Sequence, residues 1–239
     1  MTLSTQAMAQ LSNNLVYSAI AVYAIAMLAY AAEAAGRTAT TTGPSETRGT
    51  GKWFRLGAVG TSLTVLAFAL NSGGVLARGL AAQRAPWGNM YEFAIVGAVA
   101  AGGAYLALLY LRPVRDVGVW IVAIVLLALG LAVTVLYTPV DALVPVLNSY
   151  WLVIHVAAAI TAGGVFSVGA VATGLFLLKS RSEKRAARSG NPPGRRYAAS
   201  LPASSTWEQV AHTAHMFAFP IWTFAVIAGA IWAENSWGR

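Results

Sequence analysis

The chain has 239 residues, 57% of them apolar and only 10% charged, with no cysteine and a formal net charge of +8. An ordinary soluble domain carries about 25% charged residues, so a soluble globular class is excluded, as are disulfides, thiolate metal sites and thiol redox chemistry by this chain. The Lys and Arg residues cap apolar runs instead of forming a stripe, so the positive charge points to membrane topology and anionic headgroups and not to nucleic acid.

Residues 1–13 are polar and carry no Lys or Arg. The basic region of a cleavable signal peptide is missing, and the first helix is expected to be retained. Six apolar segments follow: Leu15–Ala32, Leu56–Gly74, Phe93–Leu111, Val117–Tyr137, Tyr150–Leu178 and Thr213–Ala233. Each approaches or exceeds the roughly 20 residues that cross about 30 Å of hydrocarbon, and none has the polar face of a globular helix. The pattern predicts an all-α, polytopic integral membrane bundle of about six transmembrane helices, forming one domain over residues 1–239. Two connections read as flexible loops: 33–52, rich in Thr, Gly and charge, and 179–206, with a basic cluster around Asn191-Pro-Pro-Gly194. No internal repeat is visible.

Orientation follows from the positive-inside rule. Thirteen of the sixteen Lys and Arg fall in the connections after the first, third and fifth segments, and three fall on the opposite side. That split predicts a multi-pass plasma-membrane protein with both termini extracytoplasmic and the 33–52 and 179–206 connections cytoplasmic. The unusual polar and aromatic residues then gather on the outer side: Pro86–Phe93, Pro139–Trp151 with His155 beyond it, and Trp232–Arg239.

His155 lies four residues after Trp151, about 6 Å deeper on the same helical face. Two readings stand: an imidazole satisfied by a neighbouring carbonyl or interfacial water, or a metal or haem ligand, since ionisable groups inside a span usually face the bundle and act there. His212 and His215 sit at the inner edge of the last segment, where snorkelling beside Glu208 accounts for His212 and the role of His215 stays open. Trp53, Trp120, Trp151 and Trp207 occupy segment ends and read as aromatic-belt residues, as do Trp232 and Trp237. Glu92, beside Asn89 at the mouth of the third segment, needs a cationic partner, and Arg78 or Arg84 can supply it. No hydrolase, zinc-protease or nucleotide-binding motif is present.

Three stretches resemble one family. Trp87-Gly-Asn-Met-Tyr-Glu-Phe93 resembles its (S/G)N-x-YE motif, and Tyr150-Trp-Leu-Val-Ile-His155-Val with Gly163-Gly164 resembles its W-L-x-x-H-V segment. Phe217 to Arg239 resembles the start of its tryptophan-rich haem-handling segment. The family is the membrane haem-handling subunit of cytochrome c biogenesis system II, of the CcsA, ResC or CcsB type. The resemblance implies presentation of haem b, held non-covalently and transiently, on the outer face. Covalent attachment to the Cys-x-x-Cys-His motif of an apocytochrome c follows, with a ResB-type membrane partner, within a haem lyase complex. It also implies that His155 is an axial ligand of haem iron, and that Trp151, Trp232, Trp237 and Gly238 belong to the haem-binding surface. In the family the Trp-Gly-Arg of this chain is followed by further tryptophan-rich sequence and further spans with additional histidines. The chain is therefore expected to be the N-terminal portion of a longer protein. Two other classes stay open from the residues alone: a membrane electron-transfer subunit with b-type haem between spans, which needs two histidines at one depth, and a transporter, to which Pro220, Gly229 and Gly163-Gly164 lend weak support.

Overall fold

The computed structural model describes residues 3–39, 51–141, 147–190 and 197–238, and among these all regular structure is helical. The elements are α1 (Leu3–Ala39), α2 (Lys52–Ala82), α3 (Met90–Leu111), a 3-10 turn (Arg115–Val117), α4 (Gly118–Thr134), α5 (Tyr150–Ser189), the short α6 (Tyr197–Ser200) and α7 (Ser204–Trp237). Six of the helices are long and apolar enough to cross a membrane. In hydrocarbon each backbone N–H and C=O must find a partner inside its own segment, which only a helix or a closed barrel achieves. Leu28, Leu76, Leu127 and Phe219 are all more than 60% exposed on the bundle. Lipid tails accept such side chains at no cost, so their exposure agrees with a membrane-embedded surface.

Long helices replace much of what the sequence suggested as loops. Residues 33–39 continue α1, and 179–189 continue α5 to a left-handed C-cap at Gly190. Charge and Thr content led the reading towards a loop, but Glu33 is buried and its charge is met by Arg37 and Arg115. Lys179 is held by the Ala199 carbonyl, and Glu183 accepts from the Ser204 backbone N–H and hydroxyl at the start of α7. Residues 40–50 and 191–196 of those two expected loops lie outside the described residues.

Helices α1 and α2 form one antiparallel hairpin, zipped by Ser12 Oγ donating to the Gly74 carbonyl at 2.7 Å near one end and by Tyr30, Thr61 and Thr64 nearer the other. Helices α5 and α7 form a second antiparallel pair, and α3 joins the two, packed on α2, α4 and α5. The α3–α5 approach is unusually close at Gly164, where a Cβ would stand 2.6 Å from the backbone of Ala100. Only a residue without a side chain fits that crossing, the small-residue device by which membrane helices gain van der Waals contact. The main core is built by Val16, Tyr23, Ile95, Tyr105, Ile121, Leu129 and their neighbours. Trp207 belongs to it at 0% exposure, so it is a core residue and not a belt residue; Leu201 and Val210 are buried in the same core.

Candidate functional site

One end of the bundle gathers the starts of α1, α3 and α5 and the ends of α2, α4 and α7. Its frame is ionic. Glu92, fully buried, accepts from Arg78 Nε at 3.0 Å, Arg84 Nη1 at 2.7 Å and the Gly88 N–H at 2.8 Å. Arg78, itself 1% exposed, also donates to the Thr138 carbonyl at 2.7 Å and lies over the Tyr91 ring. Asn89 caps α3 by accepting from the Glu92 N–H at 2.9 Å. Two guanidinium groups on one carboxylate leave this unit one positive charge in excess. It ties the end of α2, the following turn, the start of α3 and the segment after α4 into one piece. Both arginines that could answer Glu92 do so. Arg78 is therefore closed off from any external anion, and Arg84 is committed to the same carboxylate.

Beside this frame, Leu152, Val156 and Ile160 of α5 form a small second core against Trp87, Leu147 and Trp232. Trp232 meets Trp237 edge to face at 4.9 Å between ring centroids. Gly238 adopts a left-handed conformation, φ 67°, and its N–H bonds the Glu234 carbonyl at 2.8 Å, closing α7. That conformation is cheap for glycine alone, so Gly238 has a structural reason to be where it is. Trp151 and Trp237 keep substantial exposure, 37% and 59%.

His155 turns from α5 towards α7. Its Nδ1 lies 2.7 Å from the Ala225 carbonyl oxygen. A carbonyl can only accept, so Nδ1 carries the proton and the ring's lone pair is on Nε2. Gly229 makes room for the ring: a Cβ there would fall 2.7 Å from Nδ1. The bland reading of a histidine satisfied by a carbonyl is thus correct for one nitrogen. The other nitrogen is in the tautomer that metal ligation requires, since ligating histidines commonly donate their second N–H to a carbonyl or carboxylate.

Sequence reasoning passed over Gly229 as a ring seat, and it passed over the counterpart. His215 of α7 rests on Gly169 of α5, where a Cβ would fall 2.8 Å from the ring, and its Nδ1 lies 2.6 Å from the Ala211 carbonyl. Phe166 packs against the His215 ring at 5.8 Å between centroids. His215 therefore touches α5 at Gly169 and Phe166 while its side chain stays exposed. The signal was available, because His155 to Gly169 and His215 to Gly229 have the same spacing on two antiparallel helices. The two seats lie about four helical turns apart, roughly 21 Å. The two imidazoles therefore do not face each other across one iron, so His155 and His215 do not form a bis-histidine haem site with one another.

The family model described as cytochrome C assembly protein matches residues 87–239, well over half of the chain. The chain belongs to the cytochrome c assembly protein family. The matched region contains Glu92 and its cap Asn89, His155 and the tryptophans of α7, while Arg78 and Arg84 precede it. A relative described as cytochrome c biogenesis protein CcsA, from Guillardia theta, is 26% identical over 105 residues. That similarity covers 40% of this chain and 35% of the relative's length.

Proposed function

We propose that this chain handles haem for cytochrome c assembly, holding haem b non-covalently at the His155 end of the bundle until it is attached to an apocytochrome c. The observation that carries the reading is the His155 hydrogen bond to Ala225, in a cytochrome c assembly family member. It fixes the ring and leaves Nε2 as the donor to iron. Neutral imidazole suits iron, and the apolar flanks of α5 and α7 suit a porphyrin face. Trp151, one turn from His155, and the Trp232–Trp237 pair supply flat apolar surface on either side of the α5–α7 crossing. Gly238 holds Trp237 at the helix end. Haem is the cargo. Its vinyl groups are where thioether bonds to the two cysteines of the acceptor form, and the chain's own residues bind and orient it.

In this proposal the site faces away from the cytoplasm, as the charge asymmetry directs, and a ResB-type partner and the apocytochrome meet the chain there. The Arg78–Glu92–Arg84 unit acts as a brace. It holds the turn before α3 against the α5 start and does not provide a propionate pair.

The test uses the complete protein. His155→Gly is purified beside the parent, and bound haem is measured with and without added imidazole. Loss of haem that imidazole restores is the expected result. Unchanged haem content, spectrum and cytochrome c assembly would remove His155 from the site.

A further inference from the structure

Helix α2 carries a pattern that haem handling does not use. Gly57, Thr64, Asn71 and Arg78 recur every seven residues, so they form one stripe along the helix. Thr64, Asn71 and Arg78 are each no more than 1% exposed. Against this stripe α1 presents Tyr23, Tyr30 and Glu33, all at 3% exposure or less. The glycine at 57 gives its space to the Glu33 carboxylate, which lies 2.0 Å from where a Cβ would stand. Polar groups inside a membrane bundle are expensive and must be satisfied there.

Most of this seam is satisfied by protein. At the end opposite His155, Glu33 is paired with Arg37 at 2.6 Å and with Arg115 at 3.1 Å, and Arg37 is also paired with Asp116. Next comes a hydroxyl cluster: Tyr105 donates to Tyr30 at 3.0 Å, and Tyr30 shares bonds of 3.3 Å with Thr61 and Thr64. At the other end stands the Arg78–Glu92 pair. Between them lie Tyr23 and Asn71. The Asn71 amide donates to the Ile95 carbonyl at 3.3 Å, but its Oδ1 and the Tyr23 hydroxyl are buried without a partner among the described residues. Beyond the hydroxyl cluster, the seam opens into a cleft of about 10 Å³ lined by Tyr30, Glu33, Arg37, Arg115, Asp116 and Tyr197, and the Nε of Arg115 is buried without a partner among the described residues.

We propose that the α1–α4 half of the bundle is hydrated along this seam, with ordered water bonded to the Tyr23 hydroxyl and Asn71 Oδ1 at mid-bundle and to Arg115 Nε in the cleft. Water fits the chemistry of each station. Asn71 Oδ1 only accepts, Arg115 Nε only donates, and the Tyr23 hydroxyl does both, so the occupant must donate and accept. An apolar molecule would leave all three unpaired. A cation would find no carboxylate bonded to Tyr23 or Asn71 among the described residues. The cleft is about the size of one water, and it has the several polar partners that a buried water takes. Tyr23, Asn71 and Arg115, the residues that carry the proposed water, have no part in the haem reading, so the inference is independent of it.

The test is millisecond hydroxyl-radical labelling of the whole protein in lipid nanodiscs, with oxygen-18 water as the label source. Water buried beside a side chain yields radicals at that side chain whatever its bulk exposure. Tyr23 is expected to be labelled at least five-fold faster than Tyr105, an equally buried tyrosine whose hydroxyl is paired. Asn71→Leu is expected to bring Tyr23 down to the Tyr105 rate with helical content unchanged. Equal rates for Tyr23 and Tyr105 in the parent would overturn the proposal, and that comparison decides even if the variant does not fold. A folded Asn71→Leu protein with undiminished Tyr23 labelling would overturn it as well.

Discussion

Replacing Glu92 by glutamine keeps the side-chain shape and removes the charge on which the buried Arg78 and the partly buried Arg84 depend. One glutamine oxygen can still accept from Arg78 or Arg84. The other position becomes an NH2, and it then meets the donors that Glu92 Oε2 now serves, Arg84 Nη1 at 2.7 Å and the Gly88 N–H at 2.8 Å. Donor faces donor, and Arg78, at 1% exposure, cannot turn to solvent. Removing one partner of a buried pair costs about 3–5 kcal/mol, chiefly because the remaining charge is left uncompensated. For a chain of this size each kcal/mol lowers the melting midpoint by about 2–4 °C, so Glu92→Gln should lose roughly 6–20 °C. Thermal melting of the purified full protein in detergent, followed by helical circular dichroism, measures this. The two arginines should rank: Arg78→Met costs more than Arg84→Met, because Arg78 also serves the Thr138 carbonyl and is the less exposed of the two. A Glu92→Gln protein with normal abundance, a midpoint within 2 °C of the parent and an altered haem spectrum would refute the reasoning and move Glu92 into the haem site.

Other outcomes follow from single contacts. Gly229→Leu should displace the His155 ring, lowering bound haem at least as far as His155→Gly does, with no rescue by imidazole because the leucine fills the space; haem titration of the complete protein checks it. Gly164→Leu should force α3 from α5 at Ala100, costing at least about 1–3 kcal/mol as an overpacked contact, read as a lower melting midpoint with the haem spectrum of the remaining folded protein unchanged. Trp207→Ala removes a fully buried indole from the core and should cost about 3–5 kcal/mol, whereas a belt residue at that position would cost little. A reporter active only in the cytoplasm should be active when fused after Gly190 and silent after Asn148; the reverse pattern would place the His155 end in the cytoplasm.

The membrane class and the helix count were legible because hydrocarbon imposes length and apolarity on each segment separately, without reference to its neighbours. Glu92 was legible for a related reason: a carboxylate at the mouth of a span needs a cation, and Arg78 and Arg84 lay close before it in sequence on the same side. The extent of α1 and α5 was not legible. Charged residues such as Glu33 and Arg37 look like loop residues until the helix that neutralises them, here the turn carrying Arg115 and Asp116, is in place. Trp207 misled for the opposite reason, since an indole near a segment end fits a belt and a core equally well until α5 and the segment carrying Leu201 are seen to close over it. At the candidate site, His155 could be singled out from its depth and its neighbour Trp151. Its partner could not, because a backbone carbonyl has no sequence signature. The glycine that admits the ring became meaningful only when α7 lay antiparallel to α5.

The length of α5 has a mechanical consequence. Its 40 residues make a rod of about 60 Å, roughly twice the hydrocarbon thickness, and His155 stands near one tip while Arg181, Lys184, Arg185 and Arg188 stand near the other. A rod pivoting where Gly164 bears on α3 works as a lever with its long arm on the basic side. A slight rocking of the His155 tip, as its crossing with α7 loosens or tightens, would be delivered as a larger sweep of the basic tip through the headgroup region. A displacement at one surface of the membrane would then have a mechanical echo at the other.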